Sequence, residues 1–178
     1  KAPLAYWLMM PFFLFGDDRI LQGRLAIGAT SLLTLFVTYG IGRRLYGEKA
    51  GLLAGLTAAT SLGFLTYGRV GMLDMPLTLL LTTAIGFLAL FRNEKSPLWP
   101  AAFWLLTGLS VLVKGPVSAV ILLAVALSCT LFWGGWRRLF FSLPAWIGML
   151  GALILAVSWP LALYFKGEWQ QWFHFFVM

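Results

Sequence analysis

Residues 98–133 read LWPAAFWLLTGLSVLVKGPVSAVILLAVALSCTLFW, an apolar run with one charged side chain, Lys114, and one Gly-Pro pair, Gly115-Pro116. A bilayer core about 30 Å thick takes about 20 apolar residues of helix, with a range of about 17–25. The run is too long for one crossing. Gly-Pro breaks a helix and makes a tight connection, so the stretch reads as two spans joined by a short turn that carries a lysine. The remaining composition agrees: of 178 residues, 61% are hydrophobic and 11% charged, with nine Trp and fifteen Phe. A water-soluble domain carries roughly a quarter charged residues. Disorder is excluded, because disordered chains are poor in apolar and aromatic residues. A disulfide scaffold is excluded because Cys129 is the only cysteine. The class that fits is an all-α, polytopic helical membrane protein.

Working outward from that hairpin, six stretches approach spanning length: 24–42, 50–66, 75–91, 98–113, 116–134 and 143–165. Residues 24–165 are therefore expected to hold six transmembrane helices. Residues 1–23 are interrupted by Pro3 and Pro11 and read as an external interfacial or re-entrant segment, with Tyr6 and Trp7 at headgroup level. Residues 166–178 read as the start of a further external segment. The chain opens on Lys1 and stops in mid-pattern at Met178, so it is expected to be a fragment of a longer protein.

The net charge of +7 is the excess of thirteen basic over six acidic residues, and the basic ones are scattered as singles and pairs with no basic face or arm, which argues against nucleic acid. Arg43, Arg44, Lys49, Arg92, Lys95, Arg137 and Arg138 fall in alternate loops, against Arg69, Lys114 and Lys166 in the others. The positive-inside rule then puts the first set in the cytoplasm and both termini outside. Lys1, Arg19 and Arg24 on the outer side reduce the asymmetry. Gly51-Leu52-Leu53-Ala54-Gly55, continued by Ala58, is a small-residue face for close helix packing.

Few polar residues need a reason beyond this. Asp74 stands at the start of a span in Leu73-Asp74-Met75-Pro76, five residues after Arg69. A carboxylate at an apolar boundary is costly unless paired or hydrated, which makes it a functional candidate. Pro76 suits a first helical turn, so Asp74 can equally be a helix cap paired with Arg69. Lys114 can snorkel to the interface or hold a phosphate oxygen. The topology puts it on the same side as Asp74. Lys1 shares that side. His174 lies among aromatics and reads as an interface-seeking residue, and Asp17-Asp18 as a solvated turn. No HExxH, CxxC, Walker or GxSxG pattern occurs.

Five motifs occur in order: Lys1-Ala2-Pro3-Leu4; Gly42-Arg43-Arg44-Leu45-Tyr46-Gly47 with Ala50-Gly51-Leu52-Leu53-Ala54; Tyr67-Gly68-Arg69 leading to Leu73-Asp74-Met75; Leu112-Val113-Lys114-Gly115-Pro116; and Ser158-Trp159-Pro160. Together they resemble the bacterial branch of the dolichyl-phosphate-mannose protein mannosyltransferase family, a branch that includes the lipid A 4-amino-4-deoxy-L-arabinose transferase. The resemblance implies the membrane core of a GT-C glycosyltransferase in a bacterial inner membrane, with its active site facing the periplasm. It implies that a polyprenyl-phosphate sugar donor, a lipid, glycan or protein acceptor and membrane lipids are the partners. Lys1 matches the lysine of the family's Lys-Pro-Pro-Leu motif, with Ala2 in place of the first proline. Asp74 matches a secondary catalytic acid, while Lys114 and Arg69 fall to substrate binding. The principal acid of the family, and the divalent metal some members bind beside it, belong to a loop that precedes the Lys1 motif. The 178 residues alone are therefore expected to be inactive, and no cofactor is assigned. Two other readings stay open on the residues: a transporter or flippase segment for a lipid-linked substrate, and a membrane scaffold in which Asp74 caps and Lys114 snorkels.

Overall fold

The computed structural model describes residues 3–14, 18–68, 74–93, 96 and 98–167. Among them every regular element is helical. The amino-terminal segment folds as α1, Leu4–Met9, running into a 3-10 segment at Met10–Leu14, where Pro11 lies. It packs on the start of α2, Arg19–Tyr46. That helix starts ahead of the apolar stretch because Asp18 caps it. Its Oδ1 accepts the N–H groups of Ile20 at 2.9 Å and Leu21 at 3.2 Å, satisfying two otherwise orphaned donors. Asp18 is thus a cap and not only a solvated turn residue. The buried stripe of α2 is unusually hydroxylic. Thr30 and Ser31 donate to the Ile27 carbonyl, and Thr34 to that of Thr30, each at 2.8 Å. Bonding to their own helix lets these hydroxyls lie inside an apolar bundle.

The second apolar stretch does not form one helix. α3, Glu48–Thr60, ends at Ser61, whose extended backbone (φ −66°, ψ 135°) separates it from α4, Leu62–Tyr67. The hydroxyls of Thr60 and Ser61 bond back to the Leu56 and Ala58 carbonyls, competing with the helix ladder at the break. α5 is Asp74–Asn93, α6 Leu98–Lys114 and α7 Val117–Trp133. α8, Trp136–Phe141, is a single short helix where the sequence reads as a loop, and α9 is Leu143–Phe165. Leu139 draws the α8 segment inward: its side chain is fully buried and its carbonyl accepts Trp104 Nε1–H at 2.9 Å.

Among the described residues three helices, α2, α5 and α9, have the length and composition to cross a membrane. α6 and α7, at 17 residues each, stand at the lower limit. In space α3, α2, α5, α6 and α9 form a row, with α7 against α5 and α6. Small residues set the spacing. A Cβ on Gly51 would lie 2.7 Å from the backbone of Arg43 and Tyr39, so α2 and α3 touch main chain to main chain. Gly108 and Gly148 do the same between α6 and α9, against Ala152 and Ala101. This close approach is what packs helices in lipid. The small-residue face at Gly51 is therefore a packing device. The core centres on Phe103, Leu122 and Leu139, all fully buried, while Leu131, Phe132 and Ile154 point outward.

Successive spans alternate in direction, so the two ends of the bundle differ. One end gathers Arg43, Arg44, Lys49, Arg92, Arg137 and Arg138, three of them laid over rings: Arg44 over Trp99, Arg92 over Trp133 and Arg138 over Phe91. The other end holds the start of α2, the start of α5 and the end of α6.

Candidate active site

The second end carries the polar pair of interest. Asp74 is the first residue of α5, so its charge sits in the first turn, where the helix dipole favours an anion. Met75 and Pro76 behind it are buried and fix the turn: Met75 joins Met9, Ala26 and Ile27 in a small core against α1 and α2. The Asp74 carbonyl accepts the Thr78 hydroxyl at 2.8 Å. Asp74 therefore stands inside the helix start.

Lys114 is the last residue of α6, where the dipole favours a cation. The chain turns immediately after it. Gly115 has φ +85°, the left-handed conformation that favours glycine at a helix end, and its N–H bonds the Val111 carbonyl at 2.8 Å. Pro116 then caps α7. The turn is backed by two fully buried serines: Ser110 donates to the Thr107 carbonyl at 2.7 Å and Ser118 to the Gly115 carbonyl at 2.9 Å, with their hydroxyl oxygens 3.0 Å apart.

These two helix ends bring Lys114 Nζ onto Asp74 Oδ1 as an ion pair. The side chains remain 53% and 35% exposed respectively. A pair this accessible contributes about 0–1 kcal/mol to stability, so its structural value is small while its availability to a ligand is high. The ammonium has three donors and the carboxylate two oxygens, which leaves capacity for a further partner on both groups.

A largely apolar cavity of about 720 Å³ opens at the same end, between α2 and the α3–α4 pair, lined by Phe12, Leu25, Leu32, Phe64 and Leu65 together with Gln22 and Arg24. The ion pair does not line it. Of the other sequence candidates, Lys1 and Arg69 lie outside the described residues, as do Asp17 and His174. Among the described residues no three His, Cys, Asp or Glu side chains come together to hold a metal ion. The serine tie was not singled out in the sequence. Its only signal there is a serine on each side of Lys114-Gly115-Pro116, a common feature of membrane helices.

Apolar outer faces, main-chain contact through glycine and helices of spanning length are the features of a multi-pass membrane protein. The chain belongs to the dolichyl-phosphate-mannose-protein mannosyltransferase family, whose sequence profile matches residues 1–161. Members of that family are membrane glycosyltransferases that draw on polyprenyl-phosphate sugar donors and deliver to lipid or protein acceptors. The matched region contains Lys1, Arg69, Asp74 and Lys114. No curated relative and no solved structure matches the chain.

Proposed function

We propose that the chain is the membrane core of a GT-C glycosyltransferase of the family's bacterial branch, similar to the lipid A 4-amino-4-deoxy-L-arabinose transferase. On this reading it moves a sugar from polyprenyl phosphate to a lipid, glycan or protein acceptor at the periplasmic face of the inner membrane. The observation that carries it is the meeting of Asp74 and Lys114, 40 residues apart in sequence, as an accessible pair at one end of the bundle. The end rich in arginine supports placing the opposite end outside.

The chemistry follows from the groups present. An acceptor hydroxyl or amine attacks the anomeric carbon, the bond from that carbon to the phosphate oxygen breaks, and polyprenyl phosphate leaves with the electron pair. A cation beside the phosphate stabilises the departing charge, the role assigned to Lys114 with Lys1 and Arg69. A carboxylate beside the acceptor orients it and assists removal of its proton. Asp74 takes that place as the secondary acid. In the resting pair each group holds the other in position, so donor binding recruits the free donors of Lys114 without stripping Asp74 bare.

The test is sugar transfer in membranes of cells producing the full gene product, not the 178 residues alone. Asp74→Asn preserves shape and removes the charge, and transfer is expected to fall about 100-fold or more, the typical scale of acid–base assistance. Near-normal transfer would reduce Asp74 to a helix-start residue. Lys114→Gln is expected to raise the donor concentration needed for half-maximal rate. An unchanged donor dependence would remove Lys114 from the phosphate site.

A further inference from the structure

At the opposite end of the bundle a small pocket lies between α5, α7 and α8, away from the Asp74–Lys114 pair. It encloses about 140 Å³, several water volumes and room for a tetrahedral phosphate group. Arg92 and Arg138 stand in its wall with Phe91, Trp133, Gly134 and Gly135. Each guanidinium stacks on a ring, Arg92 over Trp133 and Arg138 over Phe91, both 4.8 Å from the ring centre. Stacking occupies the guanidinium faces and leaves the N–H edges to bond oxygen. Arg138 is further fixed by donating to the Ser96 carbonyl at 2.8 Å. Among the described residues neither arginine has a carboxylate partner.

We propose that this pocket binds the phosphate of an anionic glycerophospholipid, held between Arg92 and Arg138. Charge selects the class of ligand: Glu48 is the one carboxylate at this end among the described residues, against Arg43, Arg44, Lys49, Arg92, Arg137 and Arg138. Two arginines converging on one pocket match the fork geometry that phosphate oxygens accept. The setting selects a lipid over a soluble anion. Trp133 in the pocket wall is 47% exposed, and Leu131 and Phe132 beside it, at 84% and 86% exposed, give this end of α7 the apolar outer surface of a lipid-facing helix. Trp133 ends α7 and Trp136 opens α8, the place along a span where aromatic rings meet headgroups. The site is independent of the catalytic reading, because it uses none of its residues.

The experiment is native mass spectrometry of the protein in mild detergent, with phosphatidylglycerol and phosphatidylcholine offered in equal amounts. Wild type is expected to retain phosphatidylglycerol preferentially. Arg92→Gln, at an exposed position, is expected to reduce that preference about fivefold, the scale of one basic residue near a charged lipid. Arg92→Gln with Arg138→Gln should abolish it. Arg137→Gln, which lies outside this pocket, should leave it largely intact. Equal retention of the two lipids by wild type overturns the proposal. So does a preference that survives Arg92→Gln, or one that Arg137→Gln removes as effectively, which would mean a diffuse basic surface. Loss of the preference on adding inorganic phosphate would assign the pocket to the free anion and overturn the lipid.

Discussion

At the scale of single residues, the charges of this chain divide by what they cost. Lys114 and Asp74 sit at helix ends that favour their signs, and their accessible pairing adds about 0–1 kcal/mol. Asp74→Asn is therefore expected to shift unfolding by no more than about 1 kcal/mol while lowering transfer about 100-fold. Thermal unfolding in detergent beside the transfer assay checks both halves. A large stability loss accompanying the lost activity would make the pair structural. Both residues were legible in the sequence because an isolated charge in an apolar stretch is costly and needs a reason. The alternation of spans puts both on one side, but their contact was not legible, since it depends on α5 and α6 packing side by side. The serines behind the turn were invisible for a different reason: serine and threonine recur throughout these helices, most of them bonded to their own backbone, as Thr30 and Ser31 are. Ser118→Ala removes the bond to the Gly115 carbonyl while Ser110 keeps the Thr107 carbonyl at 2.7 Å, and is expected to cost about 1 kcal/mol, with Ser110→Ala added on top costing less than the sum of the singles. Denaturation of the three variants reads that coupling.

Among the elements, glycine contact decides which helices are neighbours. Gly51→Val drives a side chain into the backbone of α2, where nothing can move aside, and is expected to destabilise by about 1–3 kcal/mol or more. Gly63→Ala meets open space and should stay within about 0.5 kcal/mol of wild type. Comparing the two by thermal unfolding separates close approach from a general dislike of β-carbon. Apolar length located the helices well, because spanning a bilayer demands a run that few other structures need. It missed the break at Ser61, where hydroxyls compete with the ladder for carbonyls, and it missed α8. That short helix depends on Leu139 reaching Trp104 from a distant part of the chain, a tertiary effect that local sequence does not carry.

For the whole molecule, the arginine-rich end of the bundle lies opposite the end that carries the Asp74–Lys114 pair, and the proposed function puts the first in the cytoplasm and the second outside. With Cys129→Ser as background, a cysteine at Lys166 should react with a membrane-impermeant thiol reagent added outside intact cells, and one at Arg137 only after the membrane is opened. Reversed labelling would invert the assigned sidedness. The central claim is that this bundle end transfers a sugar from a lipid phosphate. It is tested most directly by following a labelled sugar from polyprenyl phosphate to the acceptor pool in membranes holding equal amounts of wild-type and Asp74→Asn protein. With the full gene product as wild type, donor-dependent transfer is expected, and about 100-fold less from the variant. Equal transfer by the two proteins, or none that depends on the lipid-linked donor, would contradict it.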